Sequence, residues 1–298
     1  MYFFLKLSFI VATAIGYTGS KNSDRIDVSL SSMSQYKVPG ETRVKYSLPQ
    51  KDSLTVLLDS YFNNEKKEDK SGKLQPTHYK WDQKDLGGYS LWGAVFKSMG
   101  AATRTTFDPP SKKNLSDASI YIITDPDIPS ENKDAKYMTK QYADVVANWV
   151  AKGGVLVLMT NDSGNADIQH INLLTQHFGF LFNEDSYNHV PGRAFDSGGV
   201  SIAEGNMIFK QTRRVYIKEL STIHPTKPVQ TILEKNGHII AVTTSYGKGT
   251  IFAVGDPWFY NEYVDGKRLP ARLQNVGAME EFTRWLIQKA DNHNKRLR

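Results

Sequence analysis

The chain has 298 residues and no cysteine, which excludes disulfides, thiolate metal sites and cysteine nucleophiles. Its 40% hydrophobic and 23% charged content is enough to bury a core, in one large domain or two small ones. The net charge of +6 comes from scattered Lys and Arg with no arginine-rich arm, so no nucleic acid partner is expected. It suits an acidic partner such as a polyanionic polysaccharide, with plain solubility as the other explanation.

Residues 1–20 read as an export signal peptide. Lys6 is the only charge before Lys21, Leu7 to Ile15 is a short apolar run, and small residues follow at Ala14, Gly16, Gly19 and Ser20. That run is too short to span a bilayer as a helix, so a secreted protein with no membrane anchor is expected. Residues 21–52, polar and carrying Pro39 and Pro49, read as an extended lead-in. Residues 53–290 read as a single α/β domain, and 291–298 as a polar C-terminal tail.

Within the domain, Leu54 to Leu58 is a short apolar β run ending at Asp59, and Lys66 to Gln75 is a charged loop. Ser90 to Met99 has helical spacing with Gly100 as its stop. Thr103 to Phe107 and Ala118 to Thr124 read as strands, and Thr139 to Lys152 as a helix stopped by Gly153-Gly154. Val155 to Met159 is the strongest buried strand, followed by a helix over about Asp167 to Phe178. Continuous apolar strands alternating with helices predict a mostly parallel sheet flanked by helices. From Phe180 to about Ile251 shorter runs, at Val215 to Leu220, Val229 to Leu233 and His238 to Thr243, predict an antiparallel β section. Thr250 to Val254 returns as a strand, and an amphipathic helix over about Gly277 to Lys289 closes the domain.

In open parallel sheets ligands bind beyond the carboxyl ends of the strands. Four strands end there in polar clusters, at Asp59 to Glu65, Asp125 to Asp127, Asn161 to Asp167 and Asp256 to Glu262. Each Asp or Asn alone would serve as a helix or turn cap. Together, with Trp258, Phe259, Tyr260 and Tyr263 interleaved, they suggest an aromatic platform for sugar rings. His78-Tyr-Lys-Trp-Asp82 packs a base, a phenol, a cation, an indole and a carboxylate into one short segment; a surface loop with a Trp anchor is the plainer reading. Nucleophile elbow, H-E-x-x-H, P-loop and G-x-G-x-x-G motifs are absent, and no metal or cofactor site is expected. Ser163, with His170 further on, leaves only a weak esterase pattern. Lys218 and Glu219 interrupt an apolar strand, so alternation would turn one of them inward. Arg193, in Val190-Pro-Gly-Arg193, could clamp a carboxylate.

Tyr61-Phe-Asn-Asn-Glu65, His78-Tyr-Lys-Trp81, Gly153 to Ser163, Tyr216-Ile-Lys-Glu-Leu220 and Val254 to Tyr263 carry a resemblance. Over about residues 55–290 the chain resembles the domain found C-terminal to family-105 unsaturated glycuronyl hydrolases of Bacteroidetes, and free-standing ulvan oligosaccharide dehydratases. The resemblance implies a flavodoxin-like, class I glutamine amidotransferase-like fold. Amidotransferase chemistry does not follow, because the cysteine nucleophile is missing. It further implies a periplasmic carbohydrate dehydratase of a polysaccharide-utilisation system. Such an enzyme removes water from the non-reducing-end uronic acid of ulvan-type oligosaccharides, leaving the unsaturated end that a glycuronyl hydrolase accepts. A non-catalytic sugar-binding or accessory module is the alternative. Under the dehydratase reading His78 or His170 would be the base, Arg193 or Lys218 the carboxylate clamp, and Tyr79 or Tyr260 the acid. Asn63, Trp81, Asp125, Asn161, Asp162, Asp256 and Trp258 would contact substrate.

Overall fold

The computed structural model describes residues 54–296, and the expected export signal and lead-in lie outside them. In chain order the strands and helices are β1 (Thr55–Asp59), β2 (Lys66–Glu68), β3 (Leu74–Pro76), α1 (Ser90–Ser98), β4 (Ala102–Thr106), β5 (Ile120–Thr124), α2 (Lys140–Ala151) and β6 (Val155–Met159). They continue as α3 (Ile168–Thr175), β7 (Phe180–Phe182), β8 (Gly199–Ile202), β9 (Arg213–Tyr216), β10 (Ile223–Pro225), β11 (Gln230–Lys235), β12 (His238–Tyr246), β13 (Gly249–Val254), α4 (Asn261–Val264) and α5 (Asn275–Arg296).

One seven-stranded sheet, in the order β11-β12-β13-β6-β5-β1-β4, organises the molecule. The five strands from β4 to β13 run parallel, and β12 and β11 add antiparallel to the β13 edge. The chain winds outward from β1 to β4, then reverses to β5, β6 and β13. This is the flavodoxin-type doubly wound order, with its switch point between β1 and β5.

Strand alternation explains why both faces are covered. Val56, Leu58, Ile120, Ile122, Val155 and Val157 point to one face, where α1 brings Trp92 and Phe96 and α5 brings Phe282 and Leu286. Leu57, Tyr121, Ile123, Leu156 and Leu158 point to the other, under Val146 and Val150 of α2 and Ile171 and Leu174 of α3. Each such aliphatic side chain contributes about 1.5–3 kcal/mol when fully buried. Thr139 caps α2 by accepting the Tyr142 amide at 3.2 Å. The helix then turns directly into β6 at Gly154, where a Cβ would lie 2.5 Å from the Trp149 ring.

Three segments differ from the sequence reading. The charged loop at 66–75 contains the β2–β3 hairpin, because Asp69 accepts from the Ser71 and Lys73 amides and organises its turn. The strand expected over Val215 to Leu220 ends at Tyr216, and Glu219 takes a φ of +47°. Lys218 and Glu219 therefore do not alternate in and out; their side chains pair with each other at 2.6 Å. The polar tail expected from 291 is helical through Arg296, continuing α5.

Candidate active site

The loops that leave β1, β5, β6 and β13 meet at the carboxyl ends of the sheet and bring buried carboxylates together. Asp59, the last residue of β1, is 1% exposed and accepts the Tyr61 and Phe62 amides at 3.0 and 2.8 Å and the Tyr121 hydroxyl at 2.5 Å. Those bonds hold its carboxyl down, but desolvation outweighs them and pushes it up to about 6. Asn63 then ties three segments together. Its amide donates to the Asp125 carbonyl at 2.9 Å and to Asp127 at 3.2 Å. Its backbone and side-chain oxygens accept from the Lys80 ammonium at 2.8 and 2.7 Å. Lys80 is 3% exposed, and burial lowers its amine to about 8 against the pull of Asp127, Asp59 and Glu65. Asp127 is held further by the Asn64 amide at 2.8 Å and Asn132 at 2.5 Å.

Beyond this network lie carboxyls whose proton affinity burial raises. Asp125 follows β5 with a φ of +43°, its backbone amide bonded to the Met159 carbonyl at 2.7 Å. Burial raises its carboxyl well above the ordinary range, and Glu131 adds to the shift, while Tyr79 and Asn161 beside it partly offset it. Asp256, after β13, accepts the Lys218 amide at 3.2 Å and is pushed up to about 8 by desolvation. At Gly255 a Cβ would lie 1.8 Å from the Ser221 carbonyl, so only glycine lets the 217–222 loop cross the end of β13. Asp162 accepts from Asn165 and Ser186, both at 2.5 Å.

Two further features mark this end of the sheet. His78 and Tyr79 both have a φ of +54°, a conformation costly for side chains of their size. Buried polar atoms without a hydrogen-bond partner also gather here: Ser60 Oγ, Thr160 Oγ1 and Asp125 Oδ1. Such atoms are rare in folded chains and mark where a ligand or water completes the bonding.

The approachable groups form a rim. The half-exposed His78 ring pairs through Nδ1 with Glu65, and that bond raises the imidazole despite partial burial. Glu131 is exposed as a residue, yet its carboxyl is pushed up to about 7 by partial desolvation and then by Glu65 and Asp127. His78 and Glu131 thus lie within electrostatic reach of each other at this rim, near carboxyls whose proton affinity burial raises. Among the described residues, no three His, Asp or Glu side chains are grouped to hold a metal ion.

The sequence candidates divide accordingly. His78, Tyr79, Asn63, Asp125, Asn161, Asp162, Asp256 and Lys218 belong to the strand-end cluster, and Tyr260 packs its ring on Tyr79 at 5.9 Å. Trp81 and Trp258 do not offer open faces. Trp81 packs between Tyr89, Trp92 and Phe96 and donates to the Arg104 carbonyl, and Trp258 is 0% exposed against Phe259. The expected aromatic platform is therefore core, because the apolar face beneath the loops needs these rings more than the surface does. His170 hydrogen-bonds to Asp167 at 2.8 Å and stacks on Tyr137, while Ser163 is exposed. Arg193 is exposed in the loop before the 195–198 turn. Lys80, Glu65, Asp127 and Glu131 are the members that the choice of site residues missed. Lys80 had a signal, a lone cation between Tyr79 and Trp81, whereas Glu131 sits in an ordinary polar stretch.

A doubly wound α/β protein with an acidic strand-end site is the class that fold and site define. Comparison with protein-family models and with curated proteins gives no match. Among solved structures the chain is similar to one described as the mmIFT52 N-terminal domain, at 16% identity over 78% of this chain and 96% of that one, with a TM-score of 0.57. It is also similar to a cytoplasmic protein of Salmonella typhimurium LT2, at 11% identity over 80% of this chain and 98% of that one, with a TM-score of 0.51. At these identities the likeness concerns the fold alone.

Proposed function

We propose that this chain is a carbohydrate dehydratase that removes water from the non-reducing-end uronic acid of ulvan-type oligosaccharides. The observation that carries the chemistry is the accessible acid–base set, His78 with Glu65 and Glu131, near carboxyls whose proton affinity burial raises. The substrate class rests on the sequence resemblance to ulvan oligosaccharide dehydratases and to the domain behind family-105 hydrolases.

The reaction takes the C5 proton, which lies α to the uronate carboxylate, and expels the C4 hydroxyl as water, leaving a C4–C5 double bond. A carboxyl near 7 suits Glu131 as the base, since a base works best when its pKa lies near the working pH. His78 fits the acid better than the base, because Glu65 holds its proton in place. Negative charge builds on the substrate carboxylate as C5 is deprotonated. Asp256, pushed up to about 8, donates to that carboxylate instead of repelling it, and burial shifts Asp125 in the same direction. Tyr79, its phenol raised by burial beside Asp125, supplies a further neutral donor.

The test is mass spectrometry of uronic-acid-ended ulvan oligosaccharides before and after incubation with the purified protein. Loss of one water, with the absorbance of a conjugated unsaturated acid, is the expected result. His78→Ala and Glu131→Gln should each lower turnover by about 10²-fold or more. Activity should rise as pH passes about 7, where Glu131 ionises, and fall again above the raised pKa of His78. Unchanged mass, or full turnover in both folded variants, would overturn the reading. Retention of the oligosaccharide without a mass change would instead favour a binding module, although Trp81, Trp258 and Phe259 lie in the core rather than on a stacking surface.

A further inference from the structure

The β2–β3 hairpin has no part in the chemistry described above, yet it grows directly out of the rim. Its first strand follows Glu65 and its second leads through Thr77 to His78, the two partners of the rim ion pair. The Thr77 amide closes the base of the ribbon on the Glu65 carbonyl at 3.0 Å. Residues from Lys66 to Leu74 are all exposed, so the hairpin is an arm held at its root rather than a packed element. An exposed two-stranded ribbon has little core to stabilise it. Asp69 supplies the order locally, accepting from the Ser71 amide and hydroxyl, the Lys73 amide and the Gln75 side chain, which hold its carboxyl down at about 2.

That use of Asp69 decides the charge of the arm. The segment 66–76 carries Lys66, Lys67, Lys70 and Lys73 against Glu68 and Asp69, and Asp69 is already surrounded by its own donors. Register places Lys67 opposite Gln75, so Lys67 and Lys73 share one face of the ribbon with it, and Lys66 lies on the other. Lys66 faces the 128–137 segment that carries Glu131. There the Asp134 carboxyl is held low by its bond to Lys136 and further by Lys66, and the Asp134 carbonyl accepts from Asn64 at 3.1 Å. The mouth of the site is therefore bounded by the root of a basic arm on one side and by the Glu131 segment on the other.

We propose that this hairpin is a polyanion-binding arm. Its lysines hold the carboxylate or sulfate groups of an acidic oligosaccharide on the sugars beyond the one that enters the site. The proposal rests on the reading of the strand ends as the substrate site. A terminal sugar at His78 and Glu131 has its next residues leaving along the ribbon, first past Lys66 on the mouth-facing side and then within the field of Lys67, Lys70 and Lys73. Attraction to exposed lysines is long-ranged and salt-sensitive, so the arm draws acidic chains toward the mouth and discriminates against neutral ones.

The experiment uses the full chain, a sulfated uronic-acid tetrasaccharide, and the same tetrasaccharide carboxyl-reduced and desulfated. Binding is measured by titration calorimetry at low and physiological salt for wild type and for a variant with Lys66, Lys67, Lys70 and Lys73 all changed to Gln. Wild type is expected to bind the acidic probe, more weakly as salt rises, and to bind the neutral probe poorly. The variant should lose about tenfold in affinity for the acidic probe and most of the salt dependence, while its melting temperature is unchanged. Equal affinity and equal salt dependence in the two proteins would overturn the arm, as would no binding of the acidic probe by wild type. Arm-dependent binding with no water lost from the probe would keep the arm and remove the dehydratase reading. Water loss with an unchanged KM in the variant would do the reverse.

Discussion

The two ends of the parallel sheet are built from the same strands and differ in almost everything else. At the amino ends a cavity of about 1160 Å³ opens between the 112–119 loop, α2 and the Gly153-Gly154 turn. Lys112, Lys140, Lys152 and Lys248 line it, and its acids Asp117 and Asp144 pair with Arg104 and His177. At the carboxyl ends the chemistry is of another kind: buried carboxyls, a buried ammonium, left-handed residues at His78, Tyr79 and Asp125, and polar atoms without partners. A large hollow lined by solvated lysines costs the fold little. Packing Asp59, Lys80, Asp125 and Asp256 out of water costs stability, and such shifted groups cluster at functional sites, which is what makes this end the candidate.

The sharpest way to break this comparison is to remove the buried cation. Lys80→Met should destabilise by about 1–3 kcal/mol in urea titrations, because two buried oxygens of Asn63 lose their donor and Asp127 and Asp59 lose a nearby buried positive charge. A loss below about 1 kcal/mol would mean that the network is solvated and ordinary.

Comparable in size is Asp256→Asn. A carboxyl whose folded pKa is near 8 binds its proton more tightly folded than unfolded, where the value is 3.8. The folded state then holds the extra proton between those values, so stability falls as pH rises through that window, and the deficit is complete above about 8. Asparagine still accepts the Lys218 amide and carries no charge, so the variant should equal wild type near pH 4 and exceed it by a few kcal/mol at pH 9. Melting curves at the two pH values check this, and equal gains at both would contradict the shift. The smallest effect belongs to the other end: Lys152→Gln with Lys248→Gln should alter stability by less than about 0.5 kcal/mol and leave turnover untouched.

Much of the fold was legible. The apolar run Val155 to Met159 is β6 to the residue, because five successive side chains buried on both faces leave no other pattern. The stop at Gly153-Gly154 likewise located the end of α2, while Thr139, read as its first residue, is its cap. What misled was local polarity. The charged stretch at 66–75 conceals a hairpin whose strands need no core, and the Lys218-Glu219 pair ends a strand that period two would continue. At the site, polar residues after strands were found because strand ends leave backbone and side chains at one edge. The partition among them was not, since Trp258 and Asp256 stand two residues apart and one is core while the other is site.

By itself the sequence determined the alternation of buried strands and helices, the absence of thiol chemistry and the collection of acids behind four strands. These follow from periodicity, composition and short-range spacing, which need no partner elsewhere in the chain. Only the tertiary structure decided that Asn63 would join Lys80 to Asp127, that Glu131 would come within electrostatic reach of His78, and that burial would raise the proton affinity of Asp125 and Asp256. Those are properties of distance and solvent exclusion, and they arise only when segments far apart in sequence close on one another.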